Sequence, residues 1–276
     1  MVDRLRKGGM RFDIDAYQAH SGRVTWDDLD FSVFRERPVS DAGLRCLQYM
    51  HDIEFHTVCY LRDLLVTRAH DDHQVTTFLT IWNLEELYHG EALAAVLDAH
   101  GRPSGMGRIE PLRRRLGGAR QNLGTLASMV GSWAMRDFTA IHMMWGAVNE
   151  WTAQAAYGRL SSLESNPVLT ALMKRLMRQE GRHVDFYASE AERRLSGNRR
   201  AQGLTRFALR RYWGPVGSGV APPTEVSFMV RHLFGGDDGA KVAERIDRRI
   251  QRLPGLDGLD IVARARAAHV GVPVAA

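Results

Sequence analysis

The chain has 276 residues, 45% hydrophobic and 25% charged, the ordinary balance of a globular protein with material for a sizeable core. It offers no apolar h-region at the N-terminus and no run of about 18 uncharged apolar residues, which argues against a secretory leader or a membrane span and makes a soluble cytoplasmic protein the expectation. The net charge of +5 is carried almost wholly by Arg, without a nucleic-acid motif or basic–aromatic interleaving, so nucleic acid is not an expected partner.

Residues 1–40 have weak periodicity and read as an arm with short helices. From Asp41 a helical stripe runs through Leu47, Met50, Glu54, Val58, Leu61 and Leu65, predicting one helix over about 41–69. Cys46 and Cys59 fall on it about 20 Å apart at 1.5 Å per residue, so they are small core residues and not a disulfide. A second helix, capped by Asp71 or Asp72, carries Val75, Phe78, Leu79, Trp82, Glu86, His89, Leu93 and Val96, and ends at Gly101 and Pro103. Residues 101–122, rich in Gly and Arg, read as a long exposed connection.

A third helix over about 123–162 passes through Met143, Gly146, Ala147, Glu150, Ala153 and Tyr157. Asn166 and Pro167 then read as the cap and first residue of a fourth, with Leu169, Leu172, Met173, Leu176, Glu180, His183, Val184 and Tyr187 on its stripe. Past Leu195 the pattern weakens to a loop at 211–223 and short helices at about 223–234, 238–252 and 258–269, and no strand is predicted. The expectation is an all-α protein. Residues 41–197 would form two helical hairpins joined by one long crossover, the ferritin-like four-helix plan, with an arm at 1–40 and a helical extension at 198–276 packed on the bundle.

Two stripes carry something a core should not. Of the 11 histidines, only His89 and His183 have a Glu three residues earlier, Glu86 and Glu180, and at that spacing each pair shares a helix face. Each is preceded by a glutamate on the stripe of the helix before it: Glu54 lies 32 residues before Glu86, and Glu150 lies 30 before Glu180. That distance is half a helix, a turn and half a helix back, so the carboxylates reach one depth. Four carboxylates and two imidazoles in an apolar interior repel unless cations neutralise them. A Glu on each of two helices with Glu-x-x-His on the other two is a dinuclear metal ligand set, and mixed O/N donors without thiolate suit iron, with manganese the alternative.

The stretches "HDIEFH", "EELYHG", "VNEW" and "QEGRH" resemble the ferritin-like diiron carboxylate proteins, and within them the soluble acyl-ACP desaturases of compact actinobacterial type. The likeness covers about 41–197. It implies Glu54, Glu86, His89, Glu150, Glu180 and His183 as ligands of two Fe ions, with Glu86 and Glu180 bridging. It further implies O2 activation, a ferredoxin-type electron donor, an acyl chain on ACP and a homodimer. Two positions depart from the pattern: Gln179 stands where an Asp commonly orients a ligand histidine, and Ala153, beside Thr152, stands where the desaturases carry a threonine linked to oxygen handling. Both leave metal binding intact and open the reaction type, so a diiron N-oxygenase or hydroxylase of a small organic substrate, and a non-enzymatic ferritin-like metal-binding protein, stand as alternatives.

Behind the ligands, Glu85, Gln179, His51 and Thr152 are the candidates to orient them. Trp82, Tyr88, Trp145, Trp151 and Tyr157 are read mostly as core, with a place for one of them on an electron route as the alternative. Gly146 either leaves room for O2 or substrate or permits close helix packing. Arg113, Arg114 and Arg115 are the expected docking cluster for an acidic carrier protein, because guanidinium takes phosphate and carboxylate bidentately.

Overall fold

The computed structural model describes residues 12–116 and 137–271, without the side chains of 115 and 116. Its secondary structure is helical throughout, with no strand among the described residues. Two short helices, α1 (Ile14–His20) and α2 (Val33–Glu36), lead into α3 (Asp41–Glu54) and α4 (Thr57–Leu65). A single 3-10 turn at Arg68–Asp71 precedes α5 (His73–Ala99), and α6 (Gly105–Leu116) follows. The long helices α7 (Phe138–Glu164) and α8 (Pro167–Leu195) are followed by α9 (Arg199–Tyr212), α10 (Pro223–Phe234), α11 (Gly236–Ile250) and α12 (Ile261–Val270). None of the described helices is long and apolar enough to cross a membrane.

The helix starts follow local chemistry. Asp72 accepts from the Gln74 and Val75 amides at 3.1 and 3.3 Å and caps α5. Asn166 does the same for α8 through Val168 and Leu169 at 3.0 and 3.1 Å, with Pro167 at the first position, where its missing N–H has no role. Between α7 and α8 the chain turns through Ser165 at φ 49°, the left-handed conformation that closes a helix end.

α3 packs on α5, α7 on α8, α5 on α8 and α3 on α7, which closes a ring of four helices around a shared interior. One apolar cluster fills one end of it, with Phe78, Met143, Met144, Phe186 and Tyr187 fully buried. A second, around Leu47, Leu93, Leu97, Leu160 and Leu172, fills the other. The polar residues described below lie between the two. α9, α10 and α11 pack against α7, and α12 packs on α10 and α11.

Three sequence expectations are corrected. The helix predicted over 41–69 is two helices, broken at Phe55 and His56 immediately after Glu54. The break has partners: the Arg113 guanidinium donates to the Phe55 carbonyl, the Thr57 hydroxyl donates to the Glu54 carbonyl at 2.7 Å, and the Phe55 ring lies over Gly90, where a Cβ would come within 2.7 Å of it. Cys46 and Cys59 therefore sit on different helices, and both are free thiols. The crossover contains α6, whose Ile109 and Leu112 bury against Phe55; its glycines and Pro111 masked that spacing. Residues 199–212, read as irregular, form α9, capped by Asn198 through the Ala201 amide at 3.0 Å. The start of the third predicted helix, about 123–136, lies outside the described residues; within them α7 begins at Phe138.

Candidate metal centre

The four helices of the ring each bring one part of the site. Glu54 ends α3, Glu86 and His89 lie one turn apart on α5, Glu150 is on α7, and Glu180 and His183 lie one turn apart on α8. All six are buried, at 7% exposure or less. Their donor atoms gather in two overlapping groups, Glu54–Glu86–His89–Glu180 and Glu86–Glu150–Glu180–His183, each with one atom per residue within 4.8 Å of the others. Glu86 and Glu180 belong to both groups, the position of bridging carboxylates, while each histidine and each of Glu54 and Glu150 belongs to one.

The imidazoles are aimed. His89 Nδ1 lies 3.0 Å from Glu86 Oε2 and 3.2 Å from Glu180 Oε1. His183 Nδ1 lies 3.2 Å from Glu180 Oε2 and 3.3 Å from Glu86 Oε1. Both Nδ1 atoms thus face the carboxylates, and both Nε2 atoms face outward. His183 Nε2 is held by Glu85 Oε2 at 2.8 Å and His89 Nε2 by Gln179 Oε1 at 2.9 Å. Each Glu-x-x-His helix therefore supplies, from the residue before its glutamate, the group that orients the histidine of the other helix. Glu85 and Gln179 occupy the orienting positions read from the sequence.

Gln179 connects the two halves. Its amide N–H groups donate to the Gly22 carbonyl at 2.7 Å and to Glu85 Oε1 at 3.2 Å, so His89, Gln179, Glu85 and His183 form one chain of hydrogen bonds behind the site. Glu85 also accepts from the Tyr17 phenol at 2.7 Å, the Gly22 amide at 3.2 Å and Arg182 at 2.7 Å. Burial would raise its pKa, but the bonds from His183 and Tyr17 and the Arg182 charge outweigh that and hold it down at about 2. Tyr17, Gly22 and Arg182 were not foreseen; they come from the N-terminal arm and the outer side of α8, and no spacing links them to position 85.

The two unshared glutamates have aromatic donors. The Tyr157 phenol donates to Glu54 Oε1, and the Trp82 indole N–H donates to Glu150 Oε1 at 3.0 Å. Both rings were read as core, and both are buried. Their polar ends, four residues before Glu86 for Trp82 and seven, two turns, after Glu150 for Tyr157, were the available signal.

Other expected helpers lie elsewhere. His51 is buried, but its ring nitrogens meet Asp52 at 3.0 Å and the Gly105 amide at 2.9 Å, pinning the start of α6. The Thr152 hydroxyl turns back to the Val148 carbonyl of its own helix at 2.7 Å, a local bond that competes with any donor role toward the centre. Arg113 is spent on the Phe55 carbonyl, Arg114 lies 4.0 Å from Glu110, and the Arg115 side chain falls outside the described residues. Gly146 packs close, since a Cβ there would run into the Tyr187 ring, and it also lines the cavity beside the cluster described below.

The electrostatics fit a cation pair. Burial and the neighbouring carboxylates raise the pKa of Glu54 and Glu150 well above the carboxylate range. Glu86 and Glu180 are held low despite burial, because the two imidazoles face them, and those imidazoles are in turn driven toward protonation against their own burial. Without metal the cluster neutralises itself with protons. Glu86 Oε2 and His89 Nδ1 still make no hydrogen bond, and both are buried donor atoms of one candidate metal position. Two divalent cations would replace those protons, satisfy the orphaned atoms and balance four carboxylates.

A cavity of about 200 Å³ touches the carboxylate side of the cluster; Glu54, Glu86, Glu150 and Glu180 all line it. Ile53, Trp82, Ala153, Val216 and Val220 give it an apolar wall. The loop between α9 and α10 roofs it, held by the Tyr49 phenol on the Val216 carbonyl and by Trp213 Nε1 on Asn149 Oδ1 at 3.1 Å. A smaller apolar annex of about 40 Å³ runs past Glu54 toward Met50, Ala156 and Met229. Two buried polar atoms on residues lining the main cavity, His56 Nδ1 and the Tyr187 hydroxyl, have no hydrogen-bond partner.

Compared with known proteins, the sequence matches no protein-family model and no curated protein.

Proposed function

We propose that the protein is a ferritin-like, non-haem dimetal oxidoreductase that uses O2 to oxidise a C–H bond, with an acyl thioester as the best-supported substrate class. The observation that carries this reading is the pairing of a complete six-residue ligand set with an apolar-walled cavity on its carboxylate side. Bound as an Fe(II) pair, the metals would supply the reduction of O2 and the oxidising power. Glu54, Glu86, His89, Glu150, Glu180 and His183 would hold them. The chain's own work is placement. Glu85 and Gln179 fix the two imidazole rings with Nδ1 inward. Tyr157 and Trp82 hold one oxygen each of Glu54 and Glu150 and so restrict how the two carboxylates turn. Ile53, Val216 and Val220 seat an apolar segment and keep water from the reacting carbon.

A second reading, hydroxylation or N-oxygenation of a compact molecule, is favoured by two residues. Ala153 lines the cavity where the desaturases carry a threonine, and the Thr152 hydroxyl is bound to its own helix, so neither offers a hydroxyl to the reacting face. The test is single-turnover oxidation of Fe(II)-loaded protein with acyl-ACP and with free small substrates, read by mass. Loss of two mass units supports desaturation, and gain of sixteen supports the second reading. Unchanged mass for both classes, with two irons bound and O2 consumed, overturns substrate oxidation in favour of a metal-handling role.

A further inference from the structure

A second concave site lies on the outer side of α7, against α8 and α11. It encloses about 440 Å³ and shares no lining residue with the cavity at the metal centre. Its floor is apolar, with Trp151, Ala155, Met177, Val242 and Ile246. Its rim carries Arg159, Lys241, Arg245 and Arg249 against a single acid, Asp238. Lys241, Arg245 and Arg249 follow one another at intervals of four residues, so α11 stacks three like charges on one face, an arrangement that disfavours the helix.

These cations are poorly compensated. Asp238 is 75% exposed and lies 3.9 Å from Arg159 and 4.0 Å from Lys241, the outer limit of an ion pair. Arg159 spends its Nε on the Leu233 carbonyl at 2.9 Å. Arg245 and Arg249 have no carboxylate partner among the described residues. Both are exposed at the rim; elsewhere Arg182 has Glu85, Arg194 has Asp72, Arg108 has Asp52 and Arg175 has Asp28, while Arg206 and Arg266 are met by backbone carbonyls. Desolvation against the groove and the like charges of Arg245 and Arg252 lower the pKa of Arg249, whose side chain is still exposed at the rim.

We propose that this groove binds a small organic anion, its phosphate or carboxylate head between Arg245 and Arg249 and its apolar body on the floor formed by Trp151, Met177 and Ile246. Guanidinium pairs take either head group through two parallel N–H bonds, and the head removes the repulsion along α11. The apolar floor sets the second requirement, which a bare inorganic ion does not meet. The volume is that of a small-molecule site, and the concavity favours a compact ligand over the flatter contact of a protein partner. Trp151 follows the metal-ligand candidate Glu150 in α7, so the bound body rests on the back of the helical turn that faces the centre.

The experiment is calorimetric titration of the full chain with octyl phosphate, octanoate and inorganic phosphate, each below its micelle-forming concentration. Octyl phosphate or octanoate is expected to bind at least about tenfold more tightly than inorganic phosphate. Their ranking distinguishes a phosphate from a carboxylate ligand. The double variant Arg245→Ala/Arg249→Ala is expected to weaken binding at least about tenfold, while Arg248→Ala, whose side chain lies 3.7 Å from Glu244, leaves it unchanged. Arg249→Gln alone tests the site should the double variant fail to fold, with a smaller loss in the same direction. Neither octyl phosphate nor octanoate binding more tightly than inorganic phosphate, or affinity indifferent to these variants, reduces the groove to a counterion surface and overturns the proposal. Binding of an acidic protein that the double variant abolishes, with no binding of the three anions, overturns it in favour of a docking face.

Discussion

Gln179 occupies a position where a carboxylate would orient His89 more strongly, and the structure says why an amide stands there. A side chain at this point must accept from His89 Nε2 and at the same time donate to the Gly22 carbonyl and to Glu85 Oε1. A carboxylate accepts only. The substitution Gln179→Glu would therefore set two buried carboxylates against each other across 3.2 Å and leave the Gly22 carbonyl without its donor. At an effective dielectric of about 20 the repulsion has a ceiling near 5 kcal/mol. Arg182, 2.7 Å from the same Glu85 oxygen, offsets part of it, and a proton shared between the two acids limits the rest. Adding the orphaned carbonyl gives a loss of about 3 kcal/mol in the metal-free protein, or roughly 6–12 °C in melting temperature for a chain of this size. The assay is thermal unfolding of the chelator-treated variant beside wild type at neutral pH. Metal should narrow the difference, because cations favour the ionised form. A metal-free Gln179→Glu protein that melts with wild type would refute the account of why the amide is there.

Anaerobic Fe(II) reconstitution is expected to load about two metals per chain, and Glu86→Ala with Glu180→Ala to abolish loading, since those two residues belong to both donor groups; wild-type protein without metal would sink the centre. Bound metal at a thousandfold over Kd adds about 4 kcal/mol to stability, so chelation should lower the melting temperature, and an unchanged transition would show the site uncoupled from folding. Gly146→Ala gains about 1 kcal/mol of helix propensity but drives a Cβ to 2.4 Å from the buried Tyr187 ring, a clash of about 1–3 kcal/mol, so net destabilisation relieved by Tyr187→Leu is expected in chemical denaturation. His142, against Tyr60 and Phe138, has its pKa lowered by burial from 6.5 to about 4, so the unfolded chain takes up its proton first as pH falls. Its share of stability is intact above about pH 6.5, declines toward pH 4 and is at most about 3 kcal/mol; His142→Gln should flatten the stability profile in that window, and an unaltered slope would contradict the assignment.

The sequence alone determined the helical class, the cap at Asn166, a cap at Asp71 or Asp72, and the six residues that converge. Those are short-range facts: a period near 3.6 residues places Glu86 over His89 and Glu180 over His183, and an apolar stripe tells each helix which face to bury. The neighbours of Glu86 and Glu180 were legible for the same reason, because a residue one step from an inward glutamate points toward the adjacent helix. Tertiary structure alone decided what those neighbours meet. Tyr17 and Gly22 reach Glu85 from 63 to 68 residues away, a distance with no period to reveal it. His51 shares a stripe with Glu54, yet Asp52 and the Gly105 amide claim its ring. The break after Glu54 belongs to contacts with Arg113 and Gly90 on other helices, so the apolar spacing ran through it unmarked. The groove beside Trp151 needed α7, α8 and α11 in one place, because its charges and its floor lie on different helices.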